Sequence, residues 1–229
     1  MNAHRLVRVS AVALTLASLA WLTGCALPFQ DPKPATTVNL ERAGRLLSQL
    51  DTKQALPTGS NMPAGYAVAP SNLLQPTRSG TETVSPARCQ PLYDGIDADY
   101  VKAPTKSFVT YENSDRAYVG VGVSSRRGAL RGLADPQTLL GSCPRFTVKE
   151  SGETMRVTAA RLPFPKAGES RFAARFTLRS PSLVATYDAI RIQAGHNTVV
   201  VDAITPDKRL PDSSELEDAA EVILLNLSR

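Results

Sequence analysis

The stretch Val184-Ala185-Thr186-Tyr187-Asp188-Ala189-Ile190-Arg191-Ile192-Gln193, then Ala194-Gly195-His196-Asn197, then Thr198-Val199-Val200-Val201-Asp202-Ala203-Ile204-Thr205 decides the fold. Two runs rich in β-branched residues flank a short turn that contains Gly, which reads as two antiparallel strands joined by a hairpin. Upstream the pattern repeats. Lys106 to Asn113 and Arg116 to Ser125 alternate with period two around Ser114-Asp115 and form another hairpin. Strands are also expected over Arg145 to Glu150, Thr154 to Leu162 and Ser170 to Arg179, with a short one near Tyr66 to Ala69.

Helices punctuate this series. Asn39 to Ala55 has Ala43, Leu46, Leu47 and Leu50 at helical spacing, with Asn39 as N-cap and Pro57 past the end. Ser85-Pro86 opens a short helix on which Cys89 sits, since Pro is preorganised for the first helical position. A middle helix is expected over Ala129 to Gly141, interrupted or restarted at Asp135-Pro136. The last runs from Ser213 to Leu227, with Ala220, Ile223, Leu224 and Leu227 as its buried stripe. Hairpin-linked strands outnumber helices. The class is therefore α+β: an antiparallel sheet of about five to seven strands with N-terminal, middle and C-terminal helices packed on one face.

The start of the chain has a different character. Arg5 and Arg8 precede an uncharged apolar stretch from Val9 to Leu22, the pattern of a secretory signal and too short to span a bilayer as a mature helix. It ends in Leu22-Thr23-Gly24-Cys25, which resembles the lipobox of bacterial lipoproteins. That resemblance implies cleavage before Cys25 and its acylation with diacylglycerol and palmitate, enough chains for stable anchoring. Residues 1–24 are then a lipoprotein signal peptide and residues 25–37 an acylated Cys with a Pro-rich tether, leaving residues 38–229 as one α+β domain. The expected location is the extracytoplasmic face of the cell membrane.

Composition changes once the leader is removed. The 229-residue chain has 26 basic and 21 acidic side chains, net +5, and loss of Arg5 and Arg8 leaves +3. Nucleic acid is excluded as a partner on charge and on compartment. The single Trp and one of the two His go with the leader, so the mature chain keeps His196 alone, in a predicted turn. A Ser-His-Asp triad would depend on that residue, with no Gly-x-Ser-x-Gly elbow to present a nucleophile. A catalytic zinc site would lack its usual His ligands. No catalytic residue, metal ligand or cofactor site is assigned, and the chain reads as a non-enzyme. Carboxylate chemistry would draw on Asp94, Asp97 and Asp99, but their spacing around Gly95 reads as a solvated turn.

With Cys25 acylated, Cys89 and Cys143 remain to pair, as thiols of an exported protein do. Closing a loop of about 55 residues stabilises the fold by roughly 4 kcal/mol in the chain-entropy model.

Two further patterns concern binding. In Tyr118 to Ser124, Val119, Val121 and Val123 alternate with Gly120 and Gly122, and paired glycines on one strand face mean that something approaches closely there. One account is tight helix packing. The other is the floor of a ligand cleft bordered by Phe108, Tyr111 and Tyr118. Arg171, Arg175 and Arg179 share one strand face, which Arg191 on the next strand extends, while Arg126, Arg127 and Arg131 form a second basic cluster. Both read as solvated surface, although anionic lipid heads or cell-wall polymer would be attracted to them.

Three motifs together resemble the extracellular sensor domains of mycobacterial PknH-type Ser/Thr kinases and the free-standing actinobacterial lipoproteins similar to them. These are Ser85-Pro86-Ala87-Arg88-Cys89 after a loop, the helix running into Cys143 with Phe146-Thr147-Val148 following, and Asn197-Thr198-Val199-Val200-Val201-Asp202 ahead of a terminal amphipathic helix. The chain departs from the kinase domains in lacking the Trp before the helix-end Cys and a second cysteine pair. The resemblance implies a compact α+β domain with a ligand cleft. A lipoprotein group with a fold similar to Mog1 and PsbP has nearly the same order of elements. The functional expectation is a cell-envelope lipoprotein, anchored through lipid, with a non-catalytic domain for a small or amphipathic ligand. The alternative is an envelope scaffold that engages a protein partner and has no small-molecule pocket.

Overall fold

The computed structural model describes residues 38–71, 74–76, 82–128, 133–150, 152–165, 167–181, 183–206 and 213–229. The expected leader, Cys25 with its tether, and Arg131 with the first residues of the expected middle helix lie outside these.

The strands are β1 (Ala67–Val68), β2 (Thr83–Ser85), β3 (Thr105–Glu112), β4 (Tyr118–Ser125), β5 (Arg145–Glu150), β6 (Glu153–Arg161), β7 (Ser170–Arg179), β8 (Val184–Ala194) and β9 (Asn197–Pro206). The helices are α1 (Leu40–Ala43), α2 (Gln49–Gln54), α3 (Gln90–Gly95), α4 (Ala98–Lys102), α5 (Ala134–Ser142) and α6 (Ser213–Leu227). Every strand pairs antiparallel in one sheet of order β1-β3-β4-β9-β8-β7-β6-β5-β2. The run β5 to β9 is a meander, and β9 then pairs with β4 to join it to the β3–β4 hairpin. The nine strands among the described residues exceed the five to seven expected. Edge strand β1 lies where the short strand near Tyr66 to Ala69 is expected, whereas β2, of 3 residues, is too short for period-two alternation to stand out.

Helices cover both faces of the sheet rather than one. On the first face a cross-strand row runs Val109, Val121, Val201, Ile190, Ala173. It joins one core with Ala43 and Leu47 and with Leu216, Ala219, Ala220, Ile223, Leu224 and Leu227 of α6. On the second face Phe146, Val157, Phe172, Ala174 and Phe176 pack with Cys89, Leu92, Ile96, Leu140 and Cys143 from the α3 and α5 region. Consecutive apolar residues such as Val199-Val200-Val201, all completely buried, need cover on both sides, as in strands at the centre of a layered domain. The Cys89–Cys143 disulfide lies in the second core with its Cα atoms 5.7 Å apart, tying the turn before α3 to the end of α5.

The single N-terminal helix expected over Asn39 to Ala55 is two short ones. The β8–β9 turn divides them. Gly195, with φ +54°, packs its backbone on Gly44, and the His196 N–H donates to the Gly44 carbonyl at 3.0 Å. The Asn197 amide donates to the carbonyls of Ala43 and Arg45 at 2.6 and 2.8 Å. These carbonyls are therefore satisfied by the hairpin instead of by a continuing helix. Ser48 then restarts the chain with a capping box to Asp51.

Candidate ligand-binding site

Arg191 points from β8 onto the second face, where it is completely buried. It does not extend the stripe of Arg171, Arg175 and Arg179, which stands on the opposite face. Strand alternation separates the two sets, because Arg191 is in register with Phe172 and Val200. In that stripe Arg175 makes a two-point pair with buried Asp188, at 2.7 and 2.6 Å, while Arg171 and Arg179 are exposed.

A buried guanidinium requires counter-charge. Arg191 Nη1 donates to Asp202 Oδ1 at 2.7 Å and Nη2 to Oδ2 at 3.2 Å. Its Nε donates to Asp97 Oδ1 at 2.8 Å, and Nη1 also donates to the Ile190 carbonyl. The Tyr187 hydroxyl donates to Asp202 Oδ1 at 2.8 Å. Burial pushes the Asp202 carboxyl up to about 6 against the opposing pull of Arg191. Burial also raises the Tyr187 phenol well above its ordinary range, with the Asp202 charge adding to it. Desolvation acts against the charge on Arg191, but Asp202 and Asp97 outweigh it and hold the guanidinium protonated.

The Asp94, Asp97 and Asp99 segment is thus not a solvated turn. Asp94 is exposed, but Asp97 serves Arg191, and Asp99 is 6% exposed, accepting from Gln193 at 3.3 Å and pairing with Arg126 at 3.2 Å. The segment leading into α4 turns these carboxylates inward because β8 presents Arg191 and Gln193 beneath it. A charged residue inside an otherwise apolar strand is the sequence signal for such a cluster.

Beside this cluster lies a cavity of about 440 Å³. Its apolar wall is built by Phe146, Met155, Val157, Phe176, Leu178 and Ile204, all on the second face of the sheet. The rings of Phe176 and Tyr187 are stacked with centroids 6.0 Å apart. Tyr93, Ile96 and Leu74 close the opposite side, and Glu82, Gln90, Asp94 and Asp97 bring polar groups to it. Size and lining match small-molecule sites, which are largely apolar with few polar groups.

None of the five residues expected to line a cleft lines this cavity. The space above Gly120 and Gly122 is filled by Phe108: a Cβ on either glycine would stand 2.6 Å from that ring. Tyr100 packs edge-on against Phe108, centroids 6.1 Å apart. Close packing is therefore the reason for the paired glycines, the role that Phe108 fills here. Tyr111 faces the other core, where its hydroxyl donates to the Pro57 carbonyl at 2.6 Å. Tyr118 donates to Glu112 at 2.8 Å and is the register partner of Ile204, one residue of the cavity wall. His196 is exposed in the β8–β9 turn.

No protein-family model matches the chain, and no curated protein matches it. Solved structures do. An uncharacterised protein of Mycobacterium smegmatis, the Rv0999 ortholog, is similar over 80% of this chain and 100% of its own, at 13% identity and a TM-score of 0.52. The extracellular domain of PknH from Mycobacterium tuberculosis is similar over 79% of this chain and 96% of that one, at 14% identity and a TM-score of 0.47. At such identities the likeness to the Mycobacterium smegmatis protein is one of fold.

Proposed function

We propose that the chain is an exported, lipid-anchored binding protein whose domain holds a small amphipathic ligand without transforming it. The cavity of about 440 Å³ between α3 and the β5–β9 part of the sheet carries this reading. Its wall is apolar and its polar groups gather at one side, so a ligand with an apolar body and a polar head suits both. The leader ending at Cys25 and the Cys89–Cys143 disulfide support an oxidising compartment outside the cytoplasm. Of the carboxylates that line the cavity, Asp97 is committed to Arg191, which supports a holding role for it rather than a catalytic one.

Native mass spectrometry of the chain extracted from its own membrane tests the proposal. A retained small molecule that is lost in Met155→Trp, where the indole occupies the cavity, is the expected result. Extraction without any bound molecule, together with failure of amphiphiles to protect the fold against heat, would overturn it.

A further inference from the structure

The segment from α1 into α2 leaves several leucines outside the core. Of the large apolar side chains that stand exposed among the described residues, Leu40, Leu46 and Leu50 all fall on it, with Leu46 42% exposed. With the helix broken at Gly44, Ala43 and Leu47 enter the core and Leu46 and Leu50 do not.

Leu46 borders a second cavity, of about 480 Å³, at the end of β4. Among the described residues that line it, Lys102, Arg126 and Arg127 are cationic and none is acidic. The fold holds this groove in shape. The Leu47 N–H donates to Ser125 Oγ at 3.0 Å, and the Arg126 N–H donates to the His196 carbonyl at 3.1 Å. Arg126 is neutralised by Asp99 at 3.2 Å. Lys102, at the end of α4, and Arg127 are exposed and have no ion pair or side-chain hydrogen bond among the described residues. Nearby acids do not offset them: Asp51 is engaged by Ser48 and Arg45, and Glu41 is flanked by exposed Arg42.

An exposed leucine beside unpartnered cations suits the boundary of a bilayer, where the apolar tip enters the acyl region and the cations meet lipid phosphates. Two such cations favour an anionic leaflet by only about thirtyfold. Position in the chain makes that sufficient. The segment follows residues 25–37, which span about 45 Å at full extension, so an anchor at Cys25 keeps the groove close to the membrane. Tethering of this kind gives an effective concentration in the millimolar range.

We infer that the groove of Leu46, Lys102 and Arg127 seats the domain on an anionic bilayer, with lipid phosphates on the two cations. This rests on the lipid anchor proposed above, which delivers the surface to the membrane.

The mature chain has no Trp, so Leu46→Trp supplies a single fluorophore in the groove. The chain extracted from its own membrane is reconstituted into vesicles of brominated phosphatidylcholine, with or without phosphatidylglycerol. The docked-to-undocked ratio read from bromine quenching is expected to be about thirtyfold higher with phosphatidylglycerol, and to fall by a similar factor in Lys102→Gln/Arg127→Gln. High salt should also release it. Leu183→Trp, at the far end of β8 about 35 Å from the β8–β9 turn, should remain unquenched in both vesicles. Equal quenching of Leu46→Trp in the two vesicles, no effect of Lys102→Gln/Arg127→Gln, or equal quenching of Leu183→Trp would overturn the docking surface. Flotation with the phosphatidylcholine vesicles reports the anchor separately. Flotation without quenching overturns the surface alone, whereas failure to float overturns the anchor and the surface with it.

Discussion

Arg191 on β8 and Asp202 on β9 face each other at 2.7 Å with both side chains completely out of contact with solvent. The pair fixes the second face of the sheet beneath α4, because Asp97 reaches in to the same guanidinium. Removing one partner of a buried pair leaves the other charged and unsatisfied, at a cost of about 3–5 kcal/mol. Arg191→Met is expected to lose stability on that scale in urea unfolding. Arg191→Met/Asp202→Leu, which removes both buried charges, should recover much of the loss. A double variant no more stable than the single one would show that the pair is not what Arg191 contributes.

The raised pKa of Asp202 has a sign that can be measured. Its carboxyl has an ordinary value of 3.8 and is pushed up to about 6 in the fold, so the folded state holds a proton more readily than the unfolded chain. The associated stability is fully present below the unfolded value and is lost as pH rises through the window from 3.8 to about 6. Asp51, whose carboxyl is lowered by its hydrogen bonds to Ser48, contributes in the opposite direction, losing stability as pH falls. Carbon-detected NMR of the Asp202 carboxyl should therefore give a midpoint well above 3.8, and a midpoint at or below it would reverse the sign.

Gly122 is occupied by its neighbour's ring. A Cβ there would meet Phe108 at 2.6 Å and Tyr100 at 3.1 Å, so Gly122→Ala should destabilise by about 1–3 kcal/mol through overpacking. The cost should be smaller when measured in a Phe108→Ala background, because the two sites share one contact. Equal costs in both backgrounds would mean that the ring is not the obstruction.

The Cys89–Cys143 disulfide closes a sequence separation of 54 residues. Chain-entropy reasoning gives it about 4 kcal/mol, so Cys89→Ala/Cys143→Ala should unfold at clearly lower urea concentration than the parent. Thiol titration of the unfolded, unreduced chain should find neither of these sulfhydryls free.

Cys25→Ser should release the protein from the membrane fraction. Fractionation showing unchanged anchoring of that variant would remove the lipid anchor from the proposal.

The hairpins were legible because they repeat a local rule. Period-two alternation around a turn marks β3–β4 and β8–β9 within a few residues of where they lie, and the α6 stripe of Ala220, Ile223, Leu224 and Leu227 is buried as its spacing implies. A short helical segment does follow Ser85-Pro86, but Ser85 is the last residue of β2 and Pro86 stands extended ahead of a 3-10 turn over Ala87–Cys89 instead of in the first helical position. The division of the N-terminal helix was not legible, since its cause is the contact of Gly44 with Gly195 from a distant hairpin.

Binding geometry was the least legible part. The Gly120 and Gly122 alternation announces a close approach, but only the fold identifies Phe108 as what approaches, and only the fold assigns Tyr111 to the opposite face. The sequence by itself determined the α+β class, the antiparallel order of neighbouring strands and the cysteine pair available to close a disulfide, all of which follow from short-range patterning and from counting. Tertiary structure alone decided that helices cover both faces and that Asp97 and Asp202 meet on Arg191. It also decided that the cavity opens beside Tyr187, away from Gly122. The reason is physical: each of these depends on contacts between residues far apart in the chain, where one side chain's environment is set by elements whose packing no local period encodes.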